Sequence, residues 1–284
     1  MATKFSGAIL VATFARPIQL DKCLKSIFCQ IENKPHPVVV LHQTGSSDVS
    51  KVLARYSDKI ARKFELEPLG GSALENINLN RILGYEFCFK FLQCDWVLAI
   101  EEDVEVSSDA LRFVEEMYER YHKRALFRGI NLGSMEPFSE EMSNSYSLLR
   151  YGLHGQAAAI SRRTWERFNV DYLVRSSKVA ALDGQMELLL KSGFMVTPNN
   201  SRFVDTGWNG THAPKDSNDP YYVRLRKSWV GSRVPSTVTY VRSEVEHSWR
   251  SDCRSFKLIS VSSVVVVLSR IRVQFMKTLR RKIS

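Results

Sequence analysis

The chain has 284 residues, 44% apolar and 11% aromatic, and 40 Lys and Arg against 30 Asp and Glu give a formal charge of +10. That allows one large α/β domain, with or without appendages, and a sizeable core. Five cysteines (Cys23, Cys29, Cys88, Cys94 and Cys253), with no CxxC and no clustered His, exclude a disulfide framework and a structural zinc site and fit a reducing cytoplasm.

Gly7 to Phe14 is an apolar, β-rich run. It is too short for the apolar segment of a signal peptide and runs into Arg16-Pro17 without a cleavage site, so a first strand is the better reading. No apolar run approaches the ~20 residues of a membrane-spanning helix. Pro17 suits a first helical position, and Leu20, Leu24, Ile27 and Phe28 form an apolar stripe behind it. Pro37 to Leu41 is a second strand, ending in His42-Gln43-Thr44-Gly45. Ser46 to Asp48 open a helix, Lys63 to Leu66 form a short strand, and Glu75 to Leu92 form a long helix with Asn76, Asn80 and Arg81 near its start. Strands alternating with helices predict a mostly parallel sheet covered on both faces.

The stretch Asp95 to Asp109 is the most informative. Trp96 to Ile100 reads as a fully buried strand, and Glu101, Glu102 and Asp103 follow at its end. Three anions there repel one another and lose hydration, which a hard divalent cation with oxygen ligands would relieve. The carboxyl end of a strand is also where open α/β sheets bind ligands. The plainer alternative is a polar turn whose carboxylates face water. Ser108 is the expected N-cap of the next helix, which carries Leu111, Val114, Tyr118 and Tyr121 on one face. Phe127 to Leu132 is a further strand, Glu136 to Ser147 a polar loop, and His154 to Ile160 a strand of small residues. Thr164 and Leu182 open helices; Gly193 to Val196 and Ser201 to Val204 are short strands. Asp205 to His212 is turn-rich, and a loop follows from Pro214 to about Ser228.

Three segments together resemble a GT-A-fold glycosyltransferase, of the inverting kind that includes the N-acetylglucosaminyltransferase I type and family 2-like enzymes. They are the opening ILVATFARPIQLDKCLKSIFCQ, the strand-end EED, and LDGQMELLLKSGF followed by SRFVDTGWNGTH. The resemblance covers roughly residues 7–212, and it departs from the usual Asp-X-Asp in having Glu101 at the first acidic position. It implies transfer of a sugar from a nucleotide-sugar donor, in the first place a UDP-sugar, with Mn2+ or Mg2+ neutralising the leaving diphosphate. By the same resemblance Asp103 is the metal ligand, with His212 as a second ligand from the late loop. Glu101 and Glu102 would face ribose or donor-sugar hydroxyls, Thr13, Arg16, His42 and Gln43 would hold base and ribose, and Arg81 would reach the diphosphate. Asp183 matches the base region and sits where a helix dipole favours an anion, with Glu187 one turn on as the alternative base. Trp208 would stack on a sugar. The plain alternatives are a solvated Arg81, Asp183 as a helix cap, a structural His212 and a packing role for Trp208.

Eight Lys and Arg and one Asp follow Arg250, so +7 of the charge lies in this tail and +3 in residues 1–250. Val264, Leu268, Ile271, Phe275 and Leu279 make one helical stripe, which reads as a basic amphipathic helix for an anionic membrane surface. A helix docked on its own domain is the alternative, and the β-prone run Val264 to Val267 argues against a helix. Nucleic acid is not an expected partner, because the body is nearly neutral. The expected organisation is a GT-A domain over 1–250, with a nucleotide-binding part to about 125 and an acceptor part beyond it, then a tail over 251–284. The acceptor would be a glycan or a lipid-linked sugar, and the location cytoplasmic, peripheral on the inner face of a membrane. The rivals are a nucleotidyltransferase of related fold and a non-catalytic, membrane-associated sugar-nucleotide-binding protein.

Overall fold

The computed structural model describes residues 5–31, 36–68, 71–134, 136, 138–149, 153, 155–190, 193–207, 223, 226–231 and 239–243. Contacts divide the chain into Met1–Arg242 and Ser243–Ser284. The first unit is described below. The basic tail and its expected helix lie outside the described residues, as do His154, Trp208 and His212.

The first half alternates as expected: β1 (Gly7–Thr13), α1 (Pro17–Ile31), β2 (Val38–Gln43), α2 (Ser47–Arg55), β3 (Arg62–Leu66), α3 (Ala73–Glu86) and β4 (Trp96–Glu101). Then come β5 (Val104–Val106), α4 (Ala110–Tyr121), β6 (Phe127–Asn131), β7 (Ser145–Leu149), β8 (Ala157–Ser161), α5 (Arg162–Trp165), α6 (Val170–Ser176), α7 (Leu182–Leu190), β9 (Phe194–Pro198), β10 (Phe203–Asp205) and β11 (Val241–Arg242). Among the described residues the main sheet has nine strands in the order β11-β7-β9-β6-β8-β4-β1-β2-β3, and β5 pairs separately with β10.

Strands β3, β2, β1 and β4 are all parallel. β8 then inserts antiparallel between β4 and β6. The sheet is therefore mostly parallel and flanked by helices. Successive residues of β1 go to opposite cores: Ile9 and Val11 to the one under α1, α2 and α4, Ala8 and Leu10 to the one under α3 and α7. This is why the strands read as unbroken apolar runs.

Four details differ from the sequence reading. The long helix after Ser72 changes at Phe87 to a π-helical turn, Phe87–Phe91, which buries Cys88 and Phe89 and stacks Phe87 on Phe91. The N-cap of α4 is Asp109, not Ser108, and its side chain does not cap the helix. That carboxylate is taken by the buried Arg202 (3.0 Å), Tyr240 Oη (2.7 Å) and Ser107 Oγ (2.6 Å). Ser145–Leu149 is a sheet strand rather than the end of a polar loop, because Tyr146 is buried against Phe113 and Tyr121. Val104–Val106 is also a strand, held by β10. Cys23, Cys88 and Cys94 are free thiols, and among the described residues no helix is long and apolar enough to cross a membrane.

Candidate active site

The carboxyl ends of β1, β2 and β4 lie side by side, because the register pairs Ala12 with Glu101 and Thr13 with His42. Thr13, Arg16, His42, Gln43 and the acidic triplet are thereby brought to one end of the sheet. The preference of ligands for that end of an open α/β sheet makes it the candidate cleft.

The three carboxylates have separate tasks. Glu102 accepts from Thr13 Oγ1 (2.6 Å) and from the main-chain amides of Phe14 (2.9 Å), Ala15 (3.4 Å) and Arg16 (3.4 Å). It anchors the β1–α1 loop. The Thr13 hydroxyl is committed to the same anchor.

Asp103 is buried, with Oδ2 on the Arg16 guanidinium, while the buried Oδ1 has no hydrogen-bond partner. Its carbonyl accepts from Thr206 N (2.7 Å) and Thr206 Oγ1 (2.9 Å), which ties the β4–β5 turn to the segment after β10. Residue 207 is glycine because a Cβ there would fall on both Asp103 Oδ2 and Arg16 Nη1.

Glu101 meets Arg81 Nη1 at 3.2 Å. Burial holds its carboxyl above the ordinary carboxylate range; Arg81 opposes this, and Asp183 and Asp205 add to it. Arg81, buried on α3, also donates to the carbonyl of Gly155, so it bridges α3, β4 and the segment before β8. Glu101 and its neighbours hold the guanidinium charged despite burial.

Asp183 stands in the first turn of α7 and packs on Gly155, where a Cβ would collide with its carboxylate. Its Oδ1 accepts from Gly184 N at 2.9 Å. Asn78 of α3 sets this position. It donates to the carbonyls of Ser177 (2.8 Å) and Ala180 (2.9 Å) and accepts from Leu182 N (2.9 Å), which fixes the chain immediately before Asp183. Glu187 lies on α7 with its side chain outside the described residues.

Two residues of the cleft were not singled out from the sequence. Asp205 ends β10, accepts from Gln156 Nε2 (2.5 Å) and Gly207 N (2.6 Å), and bears on Glu101. Asn78 is the other. Its signal is the run Asn76-Ile-Asn-Leu-Asn-Arg81, whose three amides and guanidinium are all buried.

Gln43 is half-buried at the end of β2. His42 is buried, and neither ring nitrogen has a hydrogen-bond partner. A separate hollow of about 500 Å³ is lined by Phe89, Gln93, Arg162 and Trp165. It lies at the amino end of β4, away from this chemistry.

No family model matches the chain. No curated protein matches it. Among solved structures it is similar to residues 1–349 of TarS from S. aureus, at 13% identity and a TM-score of 0.46 over 71% of this chain and 60% of that one. It is also similar to the same TarS fragment in complex with UDP, at 12% and 0.47 over 70% and 59%. A third is the mannosyltransferase PcManGT from Pyrobaculum calidifontis, in complex with GDP-Man and Mn2+, at 14% and 0.49 over 74% and 60%. The chain spans at most 60% of the length of these structures. No function rests on likenesses this distant.

The residues present fit a divalent cation. Five carboxylates (Glu101, Glu102, Asp103, Asp183 and Asp205) stand with two guanidiniums, and the buried Oδ1 of Asp103 has no hydrogen-bond partner. Among the described residues no three His, Cys, Asp or Glu side chains are grouped to hold a metal by themselves. A cation here would take one oxygen from the described residues and the rest of its shell from elsewhere, phosphate and water included, as Mg2+-type ions commonly do on phosphate substrates.

Proposed function

We propose that the chain is a metal-dependent, inverting glycosyltransferase that moves a sugar from a nucleotide-sugar donor, a UDP-sugar first of all, to an acceptor hydroxyl. The observation that carries this is the Asp103 carboxylate. It is buried at the carboxyl end of β4, shares one oxygen with Arg16 and has the other unsatisfied. A buried acceptor atom without a partner costs free energy on the order of 1–3 kcal/mol, which a ligand that completes it returns.

In this reading Asp103 would hold a Mn2+ or Mg2+ ion, and His212 would be the second protein ligand. When bound, the ion supplies Lewis-acid neutralisation of the departing nucleoside diphosphate. Arg16 and Arg81 add positive charge beside it, and a guanidinium suits phosphate because it donates two parallel hydrogen bonds. His42 and Gln43 face the nucleoside, with the loop that Glu102 anchors beside them. Asp183 takes the proton of the acceptor hydroxyl, and Glu187 is the alternative base. The acceptor is a glycan or a lipid-linked sugar. The basic tail over 256–284 would hold the enzyme on the inner face of an anionic membrane, in the cytoplasm.

The test is turnover of UDP- and GDP-sugars with Mn2+, with Mg2+ or with chelator, products being separated by chromatography. Release of a nucleoside diphosphate that stops with chelator is expected. Free pyrophosphate would instead mark a nucleotidyltransferase, and binding without turnover a non-catalytic protein. Asp103→Ala is expected to abolish the metal-dependent part of UDP binding by calorimetry while thermal unfolding stays close to that of the unaltered protein. Unchanged affinity would remove Asp103 from the metal site.

A further inference from the structure

The contacts around Asp103 imply more than a ligand position. The loop after β1 cannot move freely, since Thr13 Oγ1 and the amides of Phe14, Ala15 and Arg16 all converge on Glu102. The Asp103 main chain is equally fixed, by the two hydrogen bonds that Thr206 donates to its carbonyl. Between these anchors the Arg16 side chain is 26% exposed and rests its guanidinium on Asp103 Oδ2. Gly207 leaves the slot for it, and the pair is incomplete because Oδ1 is buried and unpartnered.

A buried carboxylate needs a counter-charge, and among the described residues Arg16 is the one paired with it. A guanidinium, however, finds a better partner in phosphate, whose oxygens it can grip with two parallel hydrogen bonds. A divalent cation arriving alone at Asp103 meets a resident positive charge and must evict it into the cleft without a partner. A cation arriving with a diphosphate brings that partner along.

We propose that Arg16 is a built-in counter-ion for Asp103, displaced by a divalent cation and drawn off by the donor diphosphate, so that metal and nucleotide bind together rather than singly. This rests on the donor reading above and deepens it by assigning the coupling to one side chain. Such coupling is reciprocal: whatever factor the nucleotide adds to metal affinity, the metal adds to nucleotide affinity.

Mn2+ binding to the full chain, followed by electron paramagnetic resonance and corrected for Mn2+ held by free nucleotide, is the test. It is run without nucleotide and with UDP or GDP, on the unaltered protein, Arg16→Met, Arg16→Lys and the double variant Arg16→Met/Asp103→Asn. The unaltered protein is expected to bind Mn2+ weakly alone and at least about tenfold more tightly with nucleotide, within the usual range of coupled sites. Arg16→Met is expected to bind Mn2+ alone about tenfold more tightly and to lose a like factor of the nucleotide effect. Arg16→Lys, which keeps the charge, stays near the unaltered protein for Mn2+ alone, and the double variant loses the gain. Mn2+ binding to Arg16→Met that is no tighter than to the unaltered protein overturns the counter-ion role. If Arg16→Met does tighten Mn2+ but neither nucleotide affects the unaltered protein, the donor reading fails, and the draw-off by diphosphate with it, while the Arg16–Asp103 competition stands.

Discussion

The imidazole of His42 is buried with both nitrogens unpartnered, in a chain whose other buried polar groups are mostly paired. Burial pushes its pKa below the ordinary 6.5, Glu65 pulls it back, and Lys63 adds to the fall. The native state therefore takes up this proton less readily than the unfolded chain. The stability His42 contributes is present above the unfolded value and is lost as pH falls through the depressed native one. His42→Gln is expected to flatten this part of the pH dependence, with the unaltered protein losing more melting temperature than the variant on acidification below about pH 6.5. Parallel melting curves across that window would show that another group titrates. The same scale shows the limit of reading residues in a row. The acidic triplet was legible as a strand-end cluster, because a buried run and three carboxylates are local facts. Its division of labour was not, because the β1–β4 register and the course of the β1–α1 loop decide that Glu102 meets Thr13 and that Asp103 meets Arg16.

Helix α3 does two jobs, reaching the cleft with Arg81 and holding the approach to α7 with Asn78. If Asp183 is the base, Asp183→Asn should lower kcat by roughly 10²–10⁴-fold, the usual worth of a positioned base. Asn78→Ala, which frees the segment before Asp183, is expected to take a smaller share of that loss. It should leave the donor KM and the pH–rate profile in place, since the titrating base is the same group. A rise in donor KM with kcat unchanged would instead assign this segment to donor binding. Elements buried on both faces were legible from their apolar runs, as β1, β2 and β4 show. β5 and β7 were not: Val-Glu-Val and Ser-Tyr-Ser-Leu-Leu carry little strand signal, and partners distant in the chain order them.

Across the molecule the charge is lopsided, with 40 basic and 30 acidic residues overall but eight basic and one acidic beyond Arg250. A basic segment near an anionic leaflet gains about 1 kcal/mol per Lys or Arg. Truncation before Phe256 is expected to release the protein from anionic vesicles, and binding of the full chain should weaken as salt screens those charges. The truncated protein should keep UDP binding, because the residues placed in the cleft lie before it. Equal co-sedimentation of both forms at low salt would rule out the membrane role.

The place of β8 has a consequence for how the molecule comes into being. Once β4 has left the ribosome, β1 to β4 can lie side by side in the order β3-β2-β1-β4. One flank of β4, Trp96 to Ile100, then waits for Ala157–Ser161, which arrives in the opposite direction and joins it to β6. At about 5–20 residues per second of synthesis that wait lasts several seconds. A seam between early and late strands therefore runs down the middle of the sheet, while β9 and the rim strand β11 are added later still. A fragment stopped near residue 125 would keep that seam as an open, apolar edge, a template for pairing with other chains. The two groups of strands are thus inseparable for a reason of assembly: β8, made after both β4 and β6, is the strand that joins them.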